Sequence, residues 1–527
     1  MSQKHLRRFR IIFSVLLLAA IIALFVDFRE MIPTEWADRL LFLQFVPSII
    51  KFITVPALIT AGFIAVILLT VLFGRVYCSF ICPLGIFQDV VSWISKKTRL
   101  IKRYKYKKAL NYLRYPLLAL TVIFLLFGSM FVLNLLDPYS SFGRIFSDLV
   151  RPGVVVANNG LAALFEKFDM YFLYRLNLDL ITWKTVFIPV ITLILVVILA
   201  LYYGRLYCNT VCPVGTVLGL LSRYSIFRIR MDATTCTKCG KCSFVCKSNC
   251  IHVKTLEVDN SRCVACYNCI SACPEGSIKY FRKDKPVQVA PVMVPAGVVY
   301  TDQSKRDFIG KTMVYIAALF GISRKAFSAT DDERPAGKVP NKKNYPVTPP
   351  GSVSVKHFTD RCTACHLCVT VCPTKVLQPS FLEYGFMGMS QPHMDYSIEY
   401  CNFECTKCGE VCPTGAILPL TVEEKKLEQT GKVIFILEKC IVYTDNTACG
   451  SCSEHCPTQA VRMVPYKENL TIPETNTDIC IGCGACEFAC PVKPHTSIFI
   501  DGNKVHEVAK APKIEELNEE SSDEFLF

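Results

Sequence analysis

Cysteine spacing constrains this chain more than any other feature of its sequence. The second half of the chain holds six groups of four cysteines, which use most of its 29 cysteines. Four groups follow the pattern C-x2-C-x2-C-x3-C, the fourth and fifth stretch only the first gap, and five of the six end in Cys-Pro. The quartets are Cys236, Cys239, Cys242 and Cys246; Cys263, Cys266, Cys269 and Cys273; Cys362, Cys365, Cys368 and Cys372; Cys401, Cys405, Cys408 and Cys412; Cys440, Cys449, Cys452 and Cys456; Cys480, Cys483, Cys486 and Cys490.

This spacing is typical of 4Fe-4S clusters, in which three close thiolates bind one cluster and the fourth binds its neighbour. Structural zinc prefers separated ligand pairs, and disulfides suit small secreted scaffolds rather than closely spaced triplets. The stretch Cys362-Thr-Ala-Cys365-His366 also matches the pattern of c-type haem attachment. Cys368 and Cys372 continue the ferredoxin spacing through it, so we interpret His366 as incidental. About six clusters in series predict the transfer of single electrons.

The first two quartets predict one compact two-cluster unit in which the fourth cysteines are exchanged. Cys250 could replace Cys246, because Lys247 stands where the usual proline would be, but the spacing favours Cys246. For the last four quartets, both adjacent and nested pairings are open. The wide gap before Cys449 makes Cys440 the ligand that the spacing supports least. The predicted sets of the first unit are Cys236, Cys239, Cys242 and Cys273 for one cluster, and Cys263, Cys266, Cys269 and Cys246 for the other.

The first half of the chain is strongly apolar. Four runs without charge, Ile11–Val26, Phe52–Gly74, Tyr115–Leu136 and Thr185–Gly204, come close to the ~20 residues that a membrane-spanning helix needs. Leu40–Ile50 is too short and is predicted to be interfacial or re-entrant. We therefore expect a membrane all-α bundle of four spans plus α+β ferredoxin-like iron–sulfur domains.

The net charge of +14 is concentrated beside the apolar runs. Basic residues precede the first run, fill the loop between the second and third, and follow the fourth, whereas residues 137–184 hold five basic and five acidic residues. The positive-inside rule then places the N-terminus, the loop 75–114 and the segment after residue 204 in the cytoplasm. The same rule explains the charge without a nucleic-acid partner. Because no histidine occurs between His5 and His252, we expect no haem with imidazole ligands in the membrane domain.

An internal repeat brings in four more cysteines. The motif Gly-Arg-x-Tyr-Cys-x3-Cys-Pro-x-Gly occurs at residues 74–85 and again at 204–215. Cysteines four residues apart share one face of a helix, so two such pairs could offer four thiolates at one place. We expect either an additional metal or cluster site there or a redox-active or structural thiol motif without metal. The residues concerned are Cys78, Cys82, Cys208 and Cys212.

The chain divides into five predicted parts. These are a four-span membrane domain with the two C-x3-C-P motifs (1–229), a two-cluster domain (230–282), a linker (283–356), a four-cluster domain (357–510) and an acidic tail (511–527). Within the linker, residues 304–329 combine Lys305-Arg306 with a short uncharged stretch. That length suits a signal segment or a short anchor better than a span. The segment resembles a twin-arginine export signal, with Lys-Arg in place of Arg-Arg.

The paired motifs, the four apolar runs and the two-cluster unit after them resemble NapH-type membrane ferredoxins, which are grouped with NosR and CcoG. The signal-like segment and the last four quartets resemble the NapG/MauM-type four-cluster ferredoxin, so the chain resembles a fusion of the two. The resemblance implies that membrane quinol gives electrons, which serial [4Fe-4S] clusters pass to an extracytoplasmic reductase. It also implies a multi-pass protein of the bacterial inner membrane, with 230–282 cytoplasmic and 330–527 periplasmic.

The expected partners are membrane quinol, a periplasmic reductase or electron-carrier protein, and the lipid bilayer. No catalytic acid, base or nucleophile stands out, because the redox chemistry belongs to the clusters. Two alternatives stay open: a CcoG-like factor that reduces copper or assists oxidase assembly, and a polyferredoxin that is cytoplasmic and merely anchored in the membrane.

Overall fold

The computed structural model has three parts: a helical domain up to residue 222, a small α+β unit at 227–282 and a larger α+β unit at 338–511. The signal-like segment 304–329 and the acidic tail from residue 512 lie outside the described residues. The structure describes residues 3–27, 31–57, 60–98, 104, 106–176, 183–282 and 338–511.

The helical domain contains twelve α-helices in its described residues and two short π-helical turns, Phe146–Val150 and Tyr207–Val211. The helices are α1 Gln3–Val26, α2 Glu35–Leu41, α3 Phe45–Thr54, α4 Gly62–Phe73, α5 Tyr77–Phe80, α6 Pro83–Lys97, α7 Asn111–Leu126, α8 Phe131–Leu136, α9 Pro138–Ile145, α10 Arg151–Glu166, α11 Trp183–Tyr203 and α12 Pro213–Ser222.

Two of the described helices are long and apolar enough to cross a membrane, over His5–Val26 and Val186–Tyr203. They correspond to the first and fourth predicted spans. The second and third predicted spans are not continuous helices. The second is divided between α3 and α4, and the third between α7 and α8. Four uninterrupted spans are therefore not found.

Each interruption has a backbone cause. After α3 the chain reaches Pro56, and the residue before a proline is disfavoured in helical conformation. After α7, Gly128 has a φ of +75°, which glycine adopts readily and which ends the helix. A hydropathy profile does not detect these helix ends, because the side chains of Pro56 and Gly128 are small and uncharged.

The segment that follows α8, in which basic and acidic residues are equal in number, begins with a buried helix. Every residue of α9 is buried, and the carboxylate of Asp137 caps it by accepting a hydrogen bond from the Ser140 amide, 2.8 Å away. Helix α9 packs against α6 and α11 in the centre of the helical domain. The chain therefore folds back into the core here instead of remaining on the surface.

The small α+β unit is built on two antiparallel strand pairs. β1 Phe227–Met231 pairs with β4 Ile278–Arg282, and β2 Ile251–His252 pairs with β3 Glu257–Val258. The first cysteine loop carries the short helix α13 Lys241–Phe244, and the second carries α14 Asn268–Ala272. Because β1 begins at residue 227, the unit starts slightly before the predicted boundary at 230.

The larger unit contains three antiparallel pairs. β5 Leu377–Pro379 pairs with β6 Pro392–Met394, β7 Glu428–Phe435 pairs with β10 Ile498–Val508, and β8 Val461–Pro465 pairs with β9 Thr471–Thr475. Its helices are short and mostly follow the cysteine loops: Val355–Arg361, Leu367–Val371, Lys407–Glu410, Val422–Leu427, Ile441–Thr444, Ser451–Glu454 and Ala485–Ala489.

The last part of the predicted linker belongs to this larger unit. The amide of Val339 donates to the Pro494 carbonyl over 2.7 Å, and the amide of Met394 donates to the carbonyl of Val347 over 3.0 Å. Val347 is 1% exposed and lies in the core of the unit. The four-cluster domain therefore extends back to residue 338 rather than beginning at 357.

The two α+β units lie at opposite ends of α1. Near its beginning, Arg7 Nε donates to Asn268 Oδ1 of the small unit over 3.2 Å. Near its end, the ring of Phe25 packs against Phe142 of α9, and α1 also contacts the helix Leu367–Val371 of the larger unit. A helix of 24 residues is about 36 Å long, so it separates the two units by roughly the thickness of a membrane.

Candidate iron–sulfur centres

The first centre lies in the small unit. Cys236, Cys239, Cys242 and Cys273 line one small cavity, which is otherwise walled partly by apolar side chains such as Met231. These are the four cysteines that the spacing predicted for one cluster. Four thiol ligands in an apolar setting fit a 4Fe-4S cluster. We call this set centre A.

The second set lies closer to the helical domain. The thiols of Cys266, Cys263 and Cys246 all lie close enough to the Cys269 thiol to interact with it electrostatically. The sulfur of Cys250, which is 2% exposed, lies 3.5 Å from that of Cys246. The structure thus brings together the predicted set and places Cys250 directly beside it. The set Cys263, Cys266, Cys269 and Cys246 is called centre B.

The larger unit pairs neighbouring quartets rather than nesting them. The Cys368 thiol interacts electrostatically with the thiols of Cys365, Cys362 and Cys412 and, last in order, with that of Cys408. The Cys408 thiol interacts with those of Cys401, Cys372 and Cys405. The third and fourth quartets therefore exchange their last cysteines. Centre C is Cys362, Cys365, Cys368 and Cys412, and centre D is Cys401, Cys405, Cys408 and Cys372.

The fifth and sixth quartets exchange cysteines in the same way. One cavity is lined by Cys440, Cys449, Cys452 and Cys490, together with prolines and aliphatic residues. The neighbours of Cys486 are Cys483, Cys480 and Cys456. Cys440 therefore faces the same cavity as its partners despite the long gap that follows it. Centre E is Cys480, Cys483, Cys486 and Cys456, and centre F is Cys440, Cys449, Cys452 and Cys490.

The contacts also give the order of the centres. The carbonyl of Ala364, in the first loop of centre C, accepts a hydrogen bond from Arg144 of α9 over 3.1 Å. The amide of Cys401 in centre D donates to the carbonyl of Cys483 in centre E over 2.9 Å. Centres E and F share exchanged loops. The series therefore runs from the helical domain through C, D and E to F.

The loop backbone explains how the cysteines converge. In four quartets the residue before the second cysteine and the residue after it both have a positive φ, between +48° and +82°. Such paired left-handed residues turn successive N–H groups towards one point, which suits an anionic cluster. In centre C the amide of Ala364 lies 3.4 Å from Cys362 Sγ. The first residues concerned are Lys238, Ala265, Ala364 and Gly482, and the second are Gly240, Tyr267, His366 and Gly484.

Burial controls the protonation of these thiols. Burial raises the pKa of Cys365 and of Cys483 to about 12, so both thiols hold their protons at neutral pH when no iron is bound. Iron binding then displaces protons and couples cluster assembly to folding. Cys239 differs because it is exposed, and the backbone N–H of Lys241 lowers the pKa of its thiol. Centre A is thus the centre with a ligand open to solvent.

Within the described ranges, no three His, Cys, Asp or Glu side chains are placed to hold one metal ion together. The preference for clusters over zinc rests on the spacing of the cysteines.

The two C-x3-C-P motifs come together in the core of the helical domain. Cys78, Cys82, Cys208 and Cys212 are each at most 4% exposed, and Cys82 lies within electrostatic range of both Cys208 and Cys78. Gln88 Nε2 lies 3.3 Å from Cys208 Sγ. We call these four residues the thiol site. The structure agrees with the predicted convergence, and the nature of the site, cluster or metal-free, stays a prediction.

Two arginines connect the two C-x3-C-P motifs by hydrogen bonds. Arg75 of the first motif donates to Cys208 O over 3.0 Å and to Asn209 Oδ1 over 2.7 Å. Arg205 of the second motif donates to Cys78 O over 2.7 Å. A Cβ at Gly85 or Gly215 would collide with these arginines and carbonyls. The sequence marks both arginines as members of the repeated motif but does not indicate this role.

A buried ionic cluster joins the thiol site to the small unit. Asp89 of α6 lies 2.6 Å from Arg10, 2.9 Å from Arg205 and 3.1 Å from Lys247. Lys247 directly follows Cys246, a residue of centre B. Lys247, which replaces the usual proline, thus has a structural role that the sequence did not indicate.

At the other end, His366 holds the larger unit on the helical domain. Its Nδ1 lies 2.8 Å from Asp148 Oδ2 and its Nε2 lies 2.7 Å from Ser390 O. The histidine is 1% exposed. It therefore anchors the first loop of centre C to the helical domain, a role that the sequence did not indicate.

Buried tyrosines lie between the thiol site and centre C. Tyr77 and Tyr207, which precede Cys78 and Cys208, are each 1% exposed, and Tyr207 Oη donates to Leu136 O over 3.1 Å. Tyr139 of α9, also 1% exposed, lies within electrostatic range of Cys365. The elements α8 and α9 therefore connect the thiol site with the first cluster of the larger unit.

Comparison with known proteins supports the iron–sulfur assignment. A family described as a 4Fe-4S binding domain matches residues 55–101 and 185–232, and a second of that description matches 256–279. Two families described as 4Fe-4S dicluster domains match 355–417 and 447–493. The first match covers the third and fourth quartets, and the second covers the fifth and sixth quartets except Cys440. No solved structure matches the chain.

Three similar proteins are ferredoxin-type. The chain is 28% identical over 154 residues to the ferredoxin-type protein NapF of Escherichia coli, covering 29% of this chain and 85% of NapF. It is 32% identical over 150 residues to the methylamine utilization ferredoxin-type protein MauM of Methylobacillus flagellatus, covering 27% of this chain and 63% of MauM. It is 29% identical over 219 residues to the corresponding protein MauN of Paracoccus denitrificans, covering 41% of this chain and 63% of MauN.

The chain therefore spans less than two thirds of MauM and MauN. These similarities support the ferredoxin-type part of the resemblance, and the fusion of a NapH-type with a NapG-type protein stays a prediction. Taken with the exchanged cysteine quartets, they identify a multi-cluster 4Fe-4S ferredoxin-type electron-transfer protein.

Proposed function

We propose that this chain carries single electrons across the bacterial inner membrane, from membrane quinol to a periplasmic reductase or electron-carrier protein. The observation that carries the proposal is the position of the two α+β units at opposite ends of α1. A protein working on one side of the membrane has no need for clusters at both ends of an apolar helix. In this proposal centres A and B face the cytoplasm and centres C to F face the periplasm.

The proposed route uses the contacts between centres. Arg75 contacts the thiol site and also donates to Ser261 O, two residues before Cys263 of centre B. On the other side, α9 connects the thiol site with centre C. We propose that the thiol site holds a further cluster or redox-active thiols and passes electrons between the two ends. Centres D and E then lead to centre F, which is farthest from the helical domain.

Oxidation of one quinol gives one quinone, two electrons and two protons. Clusters that accept one electron at a time take the two electrons in succession, and the protons leave to water. The basic residues beside the apolar helices favour the orientation in which the small unit is cytoplasmic. Among the relatives, NapF, MauM and MauN are themselves described as ferredoxin-type proteins, which supports the electron-transfer class without identifying an acceptor.

The exposed ligand of centre A favours a second candidate donor. Cys239 lies on the surface between Lys238 and Lys241, both also exposed. A soluble acidic electron carrier of the cytoplasm would meet a complementary charge there. In that case electrons enter at centre A and leave at centre F, and quinol takes no part.

Anaerobic purification followed by reduction of the chain tests both candidates. Six cubane clusters require about 24 irons per chain, and quinol should reduce them as seen by EPR. Reduction by a soluble low-potential carrier but by no quinol would favour entry at centre A. Copper bound stoichiometrically at the thiol site would instead favour the CcoG-like alternative.

A further inference from the structure

A cleft of about 300 Å³ lies where the helical domain meets the small unit. It is lined by the beginning of α7, the residue after α12, the strand β1 and the loop before Cys263. None of the predicted cysteine sites includes this cleft. We call it the arginine cleft, defined by Ala109, Asn111, Arg223, Arg228 and residues 258–261.

Its two arginines lack a carboxylate partner among the described residues. Arg223 is exposed and donates to Tyr115 Oη over 2.8 Å. The Nε atom of Arg228 is buried and makes no hydrogen bond within the described part of the chain. Because neither guanidinium group has a counter-charge among the described residues of the cleft, an anionic ligand would be favourable there.

The acidic residue that lines the cleft does not offset this charge. Asp259 accepts hydrogen bonds from the amide and hydroxyl of Ser261, and its Oδ2 lies 2.6 Å from Arg262 Nε. Arg230 adds further positive charge close to Arg228. Asn111 is the first residue of α7, a helix of 16 residues, whose first turn leaves N–H groups without partners inside the helix. The cleft therefore combines positive charge with free donors.

Exposed tyrosines flank the cleft, as expected for a site at a membrane surface if the chain spans the membrane as proposed above. Tyr112 is 67% exposed and Tyr224 is 76% exposed, and both lie beside lining residues. Tyrosines are enriched where a bilayer meets water, and basic pockets at that level bind lipid head groups. We propose that the arginine cleft binds a phosphate-bearing anion, supplied either by the head group of an anionic phospholipid or by free phosphate.

The cleft also touches the support of centre B. The carbonyl of Ser261 accepts hydrogen bonds from Arg75 and from Arg114 of α7. Ser261 thus belongs both to the cleft and to the loop that leads to Cys263. A bound phosphate would hold this loop against α7. The proposal does not depend on the identity of the electron donor.

The test compares wild-type full-length protein with the double variant Arg223→Gln, Arg228→Gln, both carrying their clusters. Each is placed in nanodiscs of phosphatidylcholine alone or with phosphatidylglycerol, then transferred to detergent and measured by native mass spectrometry. A second arm titrates inorganic phosphate against thermal stability in detergent. The matched control is Lys254→Gln, an exposed lysine of the same unit outside the cleft.

We expect the double variant to retain at least ~10-fold less phosphatidylglycerol than wild type or Lys254→Gln, at unchanged iron content. Retention of the lipid without stabilisation by phosphate identifies a head-group site, whereas stabilisation by phosphate with no lipid preference identifies a free-phosphate site. Equal binding of both ligands by the double variant and wild type, or binding of neither ligand by wild type, overturns the proposal. If the double variant loses iron, Arg223→Gln alone, whose side chain is exposed, provides the comparison.

Discussion

The guanidinium of Arg205 donates a hydrogen bond to the carbonyl of Cys78 over 2.7 Å, and so joins the second half of an internal repeat to the first. Arg75 makes the reciprocal contact with Cys208. Four arginines of the helical domain, Arg75, Arg114, Arg144 and Arg205, are less than 2% exposed. So many buried guanidinium groups need negative partners, and thiolates or anionic clusters beside them would supply that charge.

Replacing Arg205 with methionine should destabilise the helical domain strongly. The substitution leaves the buried Asp89 with one cation fewer and removes the bond to Cys78 O, and breaking such a buried pair costs about 3–5 kcal/mol. The measurement is thermal unfolding in detergent with iron content as a second readout. Arg175→Met, which breaks an exposed pair with Glu166, is the control and should change little. Equal effects of the two substitutions would contradict the buried network.

The exchanged ligands of centres E and F predict a non-additive loss of iron. Cys440→Ser with Cys490→Ser changes two ligands of one centre, so the double variant should lose only about four irons. Cys440→Ser with Cys456→Ser changes one ligand in each of two centres and should lose about eight. Iron quantification and EPR spin counting measure both. The reverse order of losses would show that the quartets bind clusters without exchange.

Substitution of Cys246 and of Cys250 should affect the cluster of centre B differently. Cys246→Ser should remove the signal of this centre, because Cys246 lies within electrostatic range of Cys269. Cys250→Ser should keep all clusters, since the cysteine spacing predicts Cys246 rather than Cys250 as the fourth ligand. EPR of the reduced variants makes the comparison. Loss of the cluster in Cys250→Ser alone would reassign the fourth ligand.

His366 should hold the larger unit to the helical domain. His366→Phe leaves the Asp148 carboxylate buried and without this hydrogen-bond partner, and the loss of a hydrogen bond to a charged group costs about 1.5–3 kcal/mol. Faster hydrogen exchange is expected over residues 362–371 and over the π-helical turn Phe146–Val150. The control is His455→Phe, which changes an exposed histidine of the same unit. Similar exchange in both variants would argue against the anchor.

Much of the metal chemistry could be predicted from sequence, because cluster ligands follow each other at fixed short spacings. The members of centre A and the convergence of the thiol site followed from that local order. The pairing of the later quartets did not, because both pairings keep the same spacing. The backbone hydrogen bond from the Cys401 amide to the Cys483 carbonyl gives the order of centres D and E, and it joins residues far apart in the chain.

The helical domain was harder to predict for a physical reason. Hydropathy averages over a window, so Pro56 and Gly128 did not interrupt the predicted spans although they end helices. The polar residues of α9 gave no indication of a buried helix, yet its Arg144 is buried against the carbonyls of Ala364 and Asn134. A charge is tolerated there only because a distant segment supplies acceptors, and a single sequence does not reveal that segment.

Electron transfer across the membrane requires the two α+β units to lie on opposite sides of it, and epitope access measures this most directly. One epitope is inserted in the exposed turn at residues 254–255 of the small unit, and another at the exposed loop 445–447 beside centre F. Antibody access is compared in spheroplasts and in inverted membrane vesicles. We expect antibodies to reach the first epitope only in inverted vesicles and the second only in spheroplasts. Access to both epitopes from the same side would contradict electron transfer across the membrane.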